Sequence, residues 1–156
     1  MIIEATPSDF AALLRACAPR HYRLVPDSPI AEPEVLRMLS DLAHAIGHSF
    51  APSAWLIVEH DEVIGLCSVT RLPTQGSVDI GYGIAATRQG KGGAKRAVAA
   101  VTQWARHDPR VHRLTADTAV DNRASQRVLE RNGFRRSGER VDPEDGPLLC
   151  WELDVR

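Results

Sequence analysis

The stretch RQGKGGAKRAV, Arg88 to Val98, sets Gly90, Gly92 and Gly93 directly ahead of a run with helical periodicity. A turn needs one or two glycines, and a denser cluster at the mouth of a helix indicates that something must approach the main chain closely. The first turn of a helix leaves N–H groups without partners, and the helix dipole adds partial positive charge there. The chemistry on offer is therefore anion binding, with phosphate the usual guest. Lys91, Lys95 and Arg96 add cations at the same place. Spacing separates the phosphate motifs. A P-loop needs Ser or Thr after its Gly-Lys pair, whereas Gly90 and Lys91 are followed by Gly92, and Ala85 stands where the loop's first glycine belongs. The pattern GxGxxG/A is met by Gly81, Gly83 and Ala86. A helix starting there would run through Gly90, Gly92 and Gly93 at roughly 1 kcal/mol apiece, so that match is accidental. The spacing that fits is QxxGxG/A, met by Gln89, Gly92 and Ala94.

The remaining reactive side chains offer less. His44 and His48 form an i, i+4 pair without an HExxH glutamate or a third ligand nearby, so no metal site is expected. Cys17, Cys67 and Cys150 are odd in number and lack any CxxC pairing, which predicts reduced thiols in a cytoplasmic protein, with Cys67 and Cys150 in the core. A formal charge of −1 and a pI near 6.6 leave no broad basic field for a nucleic acid or an anionic membrane. The first residues, MIIEATPSDF, carry no basic segment leading into an apolar run, and no stretch approaches the roughly 18 to 20 apolar residues of a membrane helix. The 156 residues fit one domain, 1–156, able to bury its own core.

The elements that must position the glycine turn follow from periodicity. MIIEA reads as a strand, and TPSDFAALLRAC as a helix with Thr6 as N-cap, Pro7 at the first position and a stripe through Phe10, Leu13 and Leu14. His21 to Pro33 is a Pro-rich loop. EVLRMLSDLAHAIG then sets Val35, Leu36, Leu39, Leu42, Ala43 and Ile46 on one helical face and ends at Gly47. SAWLIVEHDEVIGLCSVTRL is a hairpin broken at HDE, and SVDIGYGIA adds a third strand. Gly81 and Gly83 in that strand predict a bulge, or a backbone or ligand pressed close. GAKRAVAAVTQWARHD is an amphipathic helix stopped by Asp108 and Pro109, HRLTADTAV a strand, and NRASQRVLERNG a helix closed by Gly133. FRRSGERV and PLLCWELDV are the last two strands.

In QxxGxG/A at the junction of a meander strand and an amphipathic helix, the chain resembles the GCN5-related N-acetyltransferase (GNAT) family, whose pyrophosphate loop for acetyl-CoA has this pattern. A second block, DNRASQRVLERNGF, Asp121 to Phe134, is similar to the NxxSxxxxExxGF segment of the RimJ/RimL-like branch, which acetylates protein α-amino groups and other amines. The resemblance covers the whole chain in element order and residues 75–134 in detail. It implies an α+β fold, with a mostly antiparallel sheet of about six to seven strands splayed between the fourth and fifth and about four flanking helices. The splay would admit the pantetheine arm of acetyl-CoA. Ile84 and Ala86 would offer it main-chain bonds, residues Gln89, Gly90, Lys91, Gly92, Gly93 and Ala94 would hold the pyrophosphate, and Asn122 would touch the pantetheine or thiol end, or simply cap its helix. Many relatives carry a Glu just after the loop, where this chain has Lys95 and Arg96. Homodimers are common in the family, and no stretch of the sequence specifies an interface.

The implied reaction is acetyl transfer to a primary amine by direct attack in a ternary complex. Only a neutral amine attacks. A lysine amine of pKa about 10.4 is almost wholly charged at pH 7, whereas an α-amino group near 8 is neutral at roughly a tenth. Asp79, on the strand where relatives often carry an acid, and Asp117, on the following strand, are the candidate bases, and each could equally be a paired strand carboxylate. Ser125, matching the Ser of the second block, is the candidate donor to the departing thiolate. Other branches use a Tyr, and neither Tyr22 nor Tyr82 stands at that position. The rival reading is a non-catalytic acyl-CoA sensor or interaction module of the same fold. The acceptor is not encoded in any motif.

Overall fold

Thr6 initiates the first helix as its sequence requires. Its hydroxyl accepts from the Asp9 N–H at 3.2 Å while the Asp9 carboxylate accepts from the Thr6 N–H at 2.8 Å, a reciprocal capping box. The computed structural model describes residues 1–156 and places this helix, α1 (Pro7–Leu14), after strand β1 (Ile2–Glu4). Then come β2 (Arg23–Leu24), α2 (Pro33–Gly47), β3 (Ala54–Glu59), β4 (Glu62–Val69), β5 (Ser77–Ile84) and a 3₁₀ turn (Ala86–Arg88). The chain continues through α3 (Gly93–His107), β6 (Arg113–Ala119), α4 (Arg123–Arg131), β7 (Arg135–Asp142) and β8 (Gly146–Asp154). No helix is long and apolar enough to cross a membrane.

The strands form one open sheet in the order β1-β3-β4-β5-β6-β8-β7, with β2 paired in parallel to β4. The eighth strand, β2, was not legible, because two residues among prolines carry no period. Only the β2/β4 and β5/β6 pairs are parallel. Alternation sorts the side chains of the central strands into two layers. Trp55, Ile57, Cys67, Val78 and Ile80 pack with Val98, Val101 and Ala105 of α3 and Leu129 of α4. Leu56, Val58, Val63 and Leu66 pack with Phe10 and Leu13 of α1 and Leu36 and Ala43 of α2.

Several sequence expectations are corrected. The bulge expected at Gly81 and Gly83 is absent: β5 pairs with β4 without interruption from Ile80 to Ile84, and the register shifts fall at Ile57/Val58 and Arg136/Gly138. Close approach is nevertheless present at Gly83, where a Cβ on Gly65 of β4 would overlap the Gly83 carbonyl oxygen. α2 does end at Gly47 as expected, but its C-cap, His48, is right-handed, so the helix stops without a left-handed glycine turn. Val35 and Leu14, counted with the apolar stripes, are exposed at the helix edges.

What positions the site is the divergence of β5 from β6. The two pair only over Ser77–Asp79 against Arg113–Thr115; beyond that β5 follows β4 and β6 follows β8 as far as Ala119. The β6-facing edge of Ile80–Ile84 is therefore left without a strand partner. This is the expected splay between the fourth and fifth strands, renumbered by the insertion of β2.

Candidate active site

The glycine turn at the end of β5 is built around two left-handed residues, Gly90 (φ 77°) and Gly92 (φ 82°), conformations that cost little only for glycine. Gly92 is the N-cap of α3 and offers no side chain, so the first N–H groups of the helix have no capping partner. A Cβ on Gly93 would meet Ile64 Cδ1 at 2.9 Å, so this helix end sits directly against the Ile64 side chain of β4.

Side chains hold the turn rigid. The Arg96 guanidinium donates to Glu59 through Nε at 2.6 Å and Nη2 at 2.8 Å, and Nη2 also reaches the Lys91 carbonyl at 2.9 Å. The Arg96 hydrogen bonds hold the Glu59 carboxyl below its usual range. Arg88 makes a bidentate pair with Glu62, at 2.7 and 3.1 Å, which anchors the 3₁₀ turn to β4. Gln89 Nε2 donates to the Ile84 carbonyl at 2.9 Å, stapling the turn to the end of β5. Arg96, counted in the sequence as part of the anion site, is thus committed to Glu59.

The turn opens into a cleft of about 460 Å³ between the free edge of β5, the start of α3 and one face of α4. Ile84, Gln89, Gly90, Gly92, Gly93 and Ala94 line it from the turn side, and Asn122 and Ser125 from α4. Asn122 acts as N-cap, its Oδ1 accepting from the Ser125 N–H at 3.1 Å, and still lines the cleft. Lys91 and Ala86 do not line it.

Tyr82 is the residue that sequence reasoning missed. Its hydroxyl lies 2.8 Å from Ser125 Oγ and 3.3 Å from the Ser125 carbonyl, in the wall of the cleft. Burial pushes its phenol up to about 12, so it stays a neutral donor, although the Ser125 bond pulls the other way. The signal was present: period-two alternation puts Tyr82 on the same face as Val78 and Ile80, toward α3 and α4.

Asp79 and Asp117 lie outside the cleft lining. The Asp79 side chain is 8% exposed and accepts from Arg71 Nη2 at 3.0 Å, Thr115 Oγ1 at 2.5 Å and the Thr70 hydroxyl. Asp117 Oδ2 accepts from Arg140 Nη2 at 2.6 Å and Nε at 3.1 Å. Both carboxylates have paired with arginines of neighbouring segments.

The arrangement suits an extended ligand with a phosphate end and an amide-bearing arm. Unpartnered helix N–H groups face the first, and strand edge groups free of a ladder face the second.

Comparison with known proteins gives concordant findings. A family model described as an acetyltransferase (GNAT) domain matches residues 1–135. The chain is similar to the ribosomal-protein-serine acetyltransferase of Escherichia coli (strain K12), 32% identical over 85 residues, which cover 54% of this chain and 48% of that protein. It is also similar to the Bacillus subtilis (strain 168) protein named "Probable N-acetyltransferase YjcK", 35% identical over 81 residues, 50% of this chain and 44% of that one. The chain thus spans about half the length of the curated relatives it matches. Among solved structures, RimL, a ribosomal L7/L12 alpha-N-protein acetyltransferase in complex with coenzyme A, superposes with a TM-score of 0.71 at 22% identity, over 98% of this chain and 92% of that one. The aminoglycoside acetyltransferase AAC(6')-Ib in complex with coenzyme A gives 0.68 at 19% identity, over 99% and 94%. At these identities the likeness concerns the fold.

Proposed function

Since the chain belongs to the GNAT acetyltransferase family, we propose that residues 1–156 act as one acetyl-CoA-dependent N-acetyltransferase domain and acetylate a primary amine by direct attack in a ternary complex. The observation that carries this reading is the continuous cleft from the uncapped start of α3, along the unpaired edge of β5, to the Tyr82–Ser125 pair. In it the backbone N–H groups of Gly93 and Ala94 bind the pyrophosphate, and the free edge of Ile80–Ile84 orients the pantetheine amides. Lys91 supplies charge from outside the wall. Bound acetyl-CoA supplies the activated acyl group.

The 2.8 Å contact between the two hydroxyls allows either to donate; with Tyr82 as donor, Ser125 Oγ keeps its own proton free for the departing sulfur. Asp79 and Asp117 act as bases only if each gives up its arginine. That requirement favours an acceptor already partly neutral near pH 7, so an α-amino group, as on a protein N-terminus, suits this site better than a lysine-like amine. We place the protein in a reducing cytoplasm, a setting in which its three free thiols would stay reduced.

The pairing of both candidate bases supports one second reading, a domain that binds acyl-CoA without turnover. Thiol release from acetyl-CoA, followed over a panel of peptides with free N-termini, spermidine and aminoglycosides, separates the two. Amine-dependent release supports the transferase, with N-terminal peptides the fastest acceptors. Tight acetyl-CoA binding without release on any amine supports the sensor.

A further inference from the structure

Along α4 the cleft wall changes character. Asn122, Ser125 and Tyr82 make its neutral end, and one to two turns further on Arg127 and Arg131 face the same cavity, with Lys95 of α3 across from them. The ends meet: Asn132 Nδ2 donates to the Lys95 carbonyl at 3.3 Å, which ties the last turn of α4 to the first turn of α3. The cleft wall carries no carboxylate. Arg88, its other cation, is neutralised by Glu62, but Lys95, Arg127 and Arg131 take part in none of the protein's ion pairs.

These cations are electrostatically misplaced in the protein alone. Lys95 sits in the first turn of α3, where the helix dipole disfavours positive charge and where no acidic residue compensates. Arg127 and Arg131 are a like-charged i, i+4 pair, which destabilises a helix. In a chain of net charge −1, three uncompensated cations converging on one cavity call for an anion. The pyrophosphate already has the helix N–H groups. What remains on coenzyme A is its 3′-phosphate, a monoester that carries close to two negative charges at pH 7.

We propose that Lys95, Arg127 and Arg131 form a subsite for the 3′-phosphate of coenzyme A, so that the protein discriminates against the dephosphorylated coenzyme. Arg127 and Arg131 occupy free positions of the NxxSxxxxExxGF block, so the subsite belongs to this chain's own sequence. The inference rests on the acetyl-CoA reading, and its test keeps the two apart.

Calorimetric titration of the whole chain with coenzyme A and with 3′-dephospho-coenzyme A is expected to give at least a tenfold weaker dissociation constant for the second. The double variant Arg127→Gln, Arg131→Gln, at exposed positions, is expected to weaken coenzyme A about tenfold while leaving the dephosphorylated ligand within twofold of wild type. Equal affinities of the wild-type chain for the two ligands would overturn the subsite and leave the coenzyme reading standing, without recourse to any variant. Equal weakening of both ligands by the double variant would also overturn it. Absence of binding by either ligand would overturn the coenzyme reading, and the subsite with it.

Discussion

Gly90 and Gly92 share a left-handed backbone but are not equivalent as probes. A Cβ on Gly92 would meet Arg96 Nη1 at 2.6 Å and disturb the Glu59 anchor, whereas a Cβ on Gly90 meets open space. Asp and Asn tolerate the left-handed region better than other residues, and they differ only in charge. Gly90→Asp is therefore expected to weaken acetyl-CoA binding at least tenfold relative to Gly90→Asn, measured by calorimetry. Matching affinities would remove the pyrophosphate from this turn. At the other end of the cleft, a hydrogen bond from Ser125 to a thiolate, at about 1.5 to 3 kcal/mol, corresponds to about one to two pKa units. The thiol of bound coenzyme A, followed by thiolate absorbance, should ionise at correspondingly higher pH in Ser125→Ala. Tyr82→Phe should shift it the same way by less, because Tyr82 acts through Ser125. An unchanged titration in Ser125→Ala would exclude that residue from contact with the sulfur. The glycine cluster was legible as local spacing, and Ser125 through the family resemblance of its block. Tyr82 was legible only through alternation along β5, and the pairing of Asp79 and Asp117 was not, since Arg71 and Arg140 come to them through folding.

At the scale of elements, the site depends on how β5 leaves β6 while staying on β4. The bulge expected from Gly81 and Gly83 did not form; the glycine that a close approach requires is Gly65 on the facing strand, since a Cβ on Gly83 would meet open space. The Gly83 carbonyl lies against Gly65, and the two strands stay in regular register to the end of β5 at Ile84. Such a backbone contact is invisible in sequence until the register is known. Gly65→Ala would force β4 and β5 apart at the base of the cleft. Overpacking of this kind costs about 1 to 3 kcal/mol, and chemical denaturation should register that loss together with weaker acetyl-CoA binding. Wild-type stability in Gly65→Ala would mean that the strands are not in that register. The helices, by contrast, were read closely: the Thr6 cap, the Asp108 stop and the Gly133 turn each follow from one residue whose conformational preference acts locally.

For the whole molecule, burial sets an alkaline limit. The Cys67 thiol is pushed up to about 12 by burial, and the Tyr82 phenol also to about 12, against ordinary values of 9.0 and 10.0. In both, the folded state favours the neutral form. Their contribution to stability is complete below about pH 9 and is lost as the pH rises from there toward about 12. Unfolding free energy measured from pH 8 to 11 should therefore fall, and Cys67→Ala should flatten the slope. A slope unchanged by that substitution would mean that Cys67 is not sealed between the sheet and α3. The element order follows from patterning along the entire chain and the splay from the family resemblance, which is why the fold was largely legible. The segment between His21 and Pro33 was not, because it has no period and takes its place only through contacts such as Ser28 Oγ accepting from the Thr87 N–H at 3.3 Å.

The most direct test of the central claim is calorimetric titration of the purified chain with acetyl-CoA, with NADH as control. Saturable one-to-one binding of acetyl-CoA, with no heat from NADH, is the expected result. Absence of acetyl-CoA binding would contradict the account at its root, for the uncapped start of α3 and the free edge of β5 would then have no ligand in common.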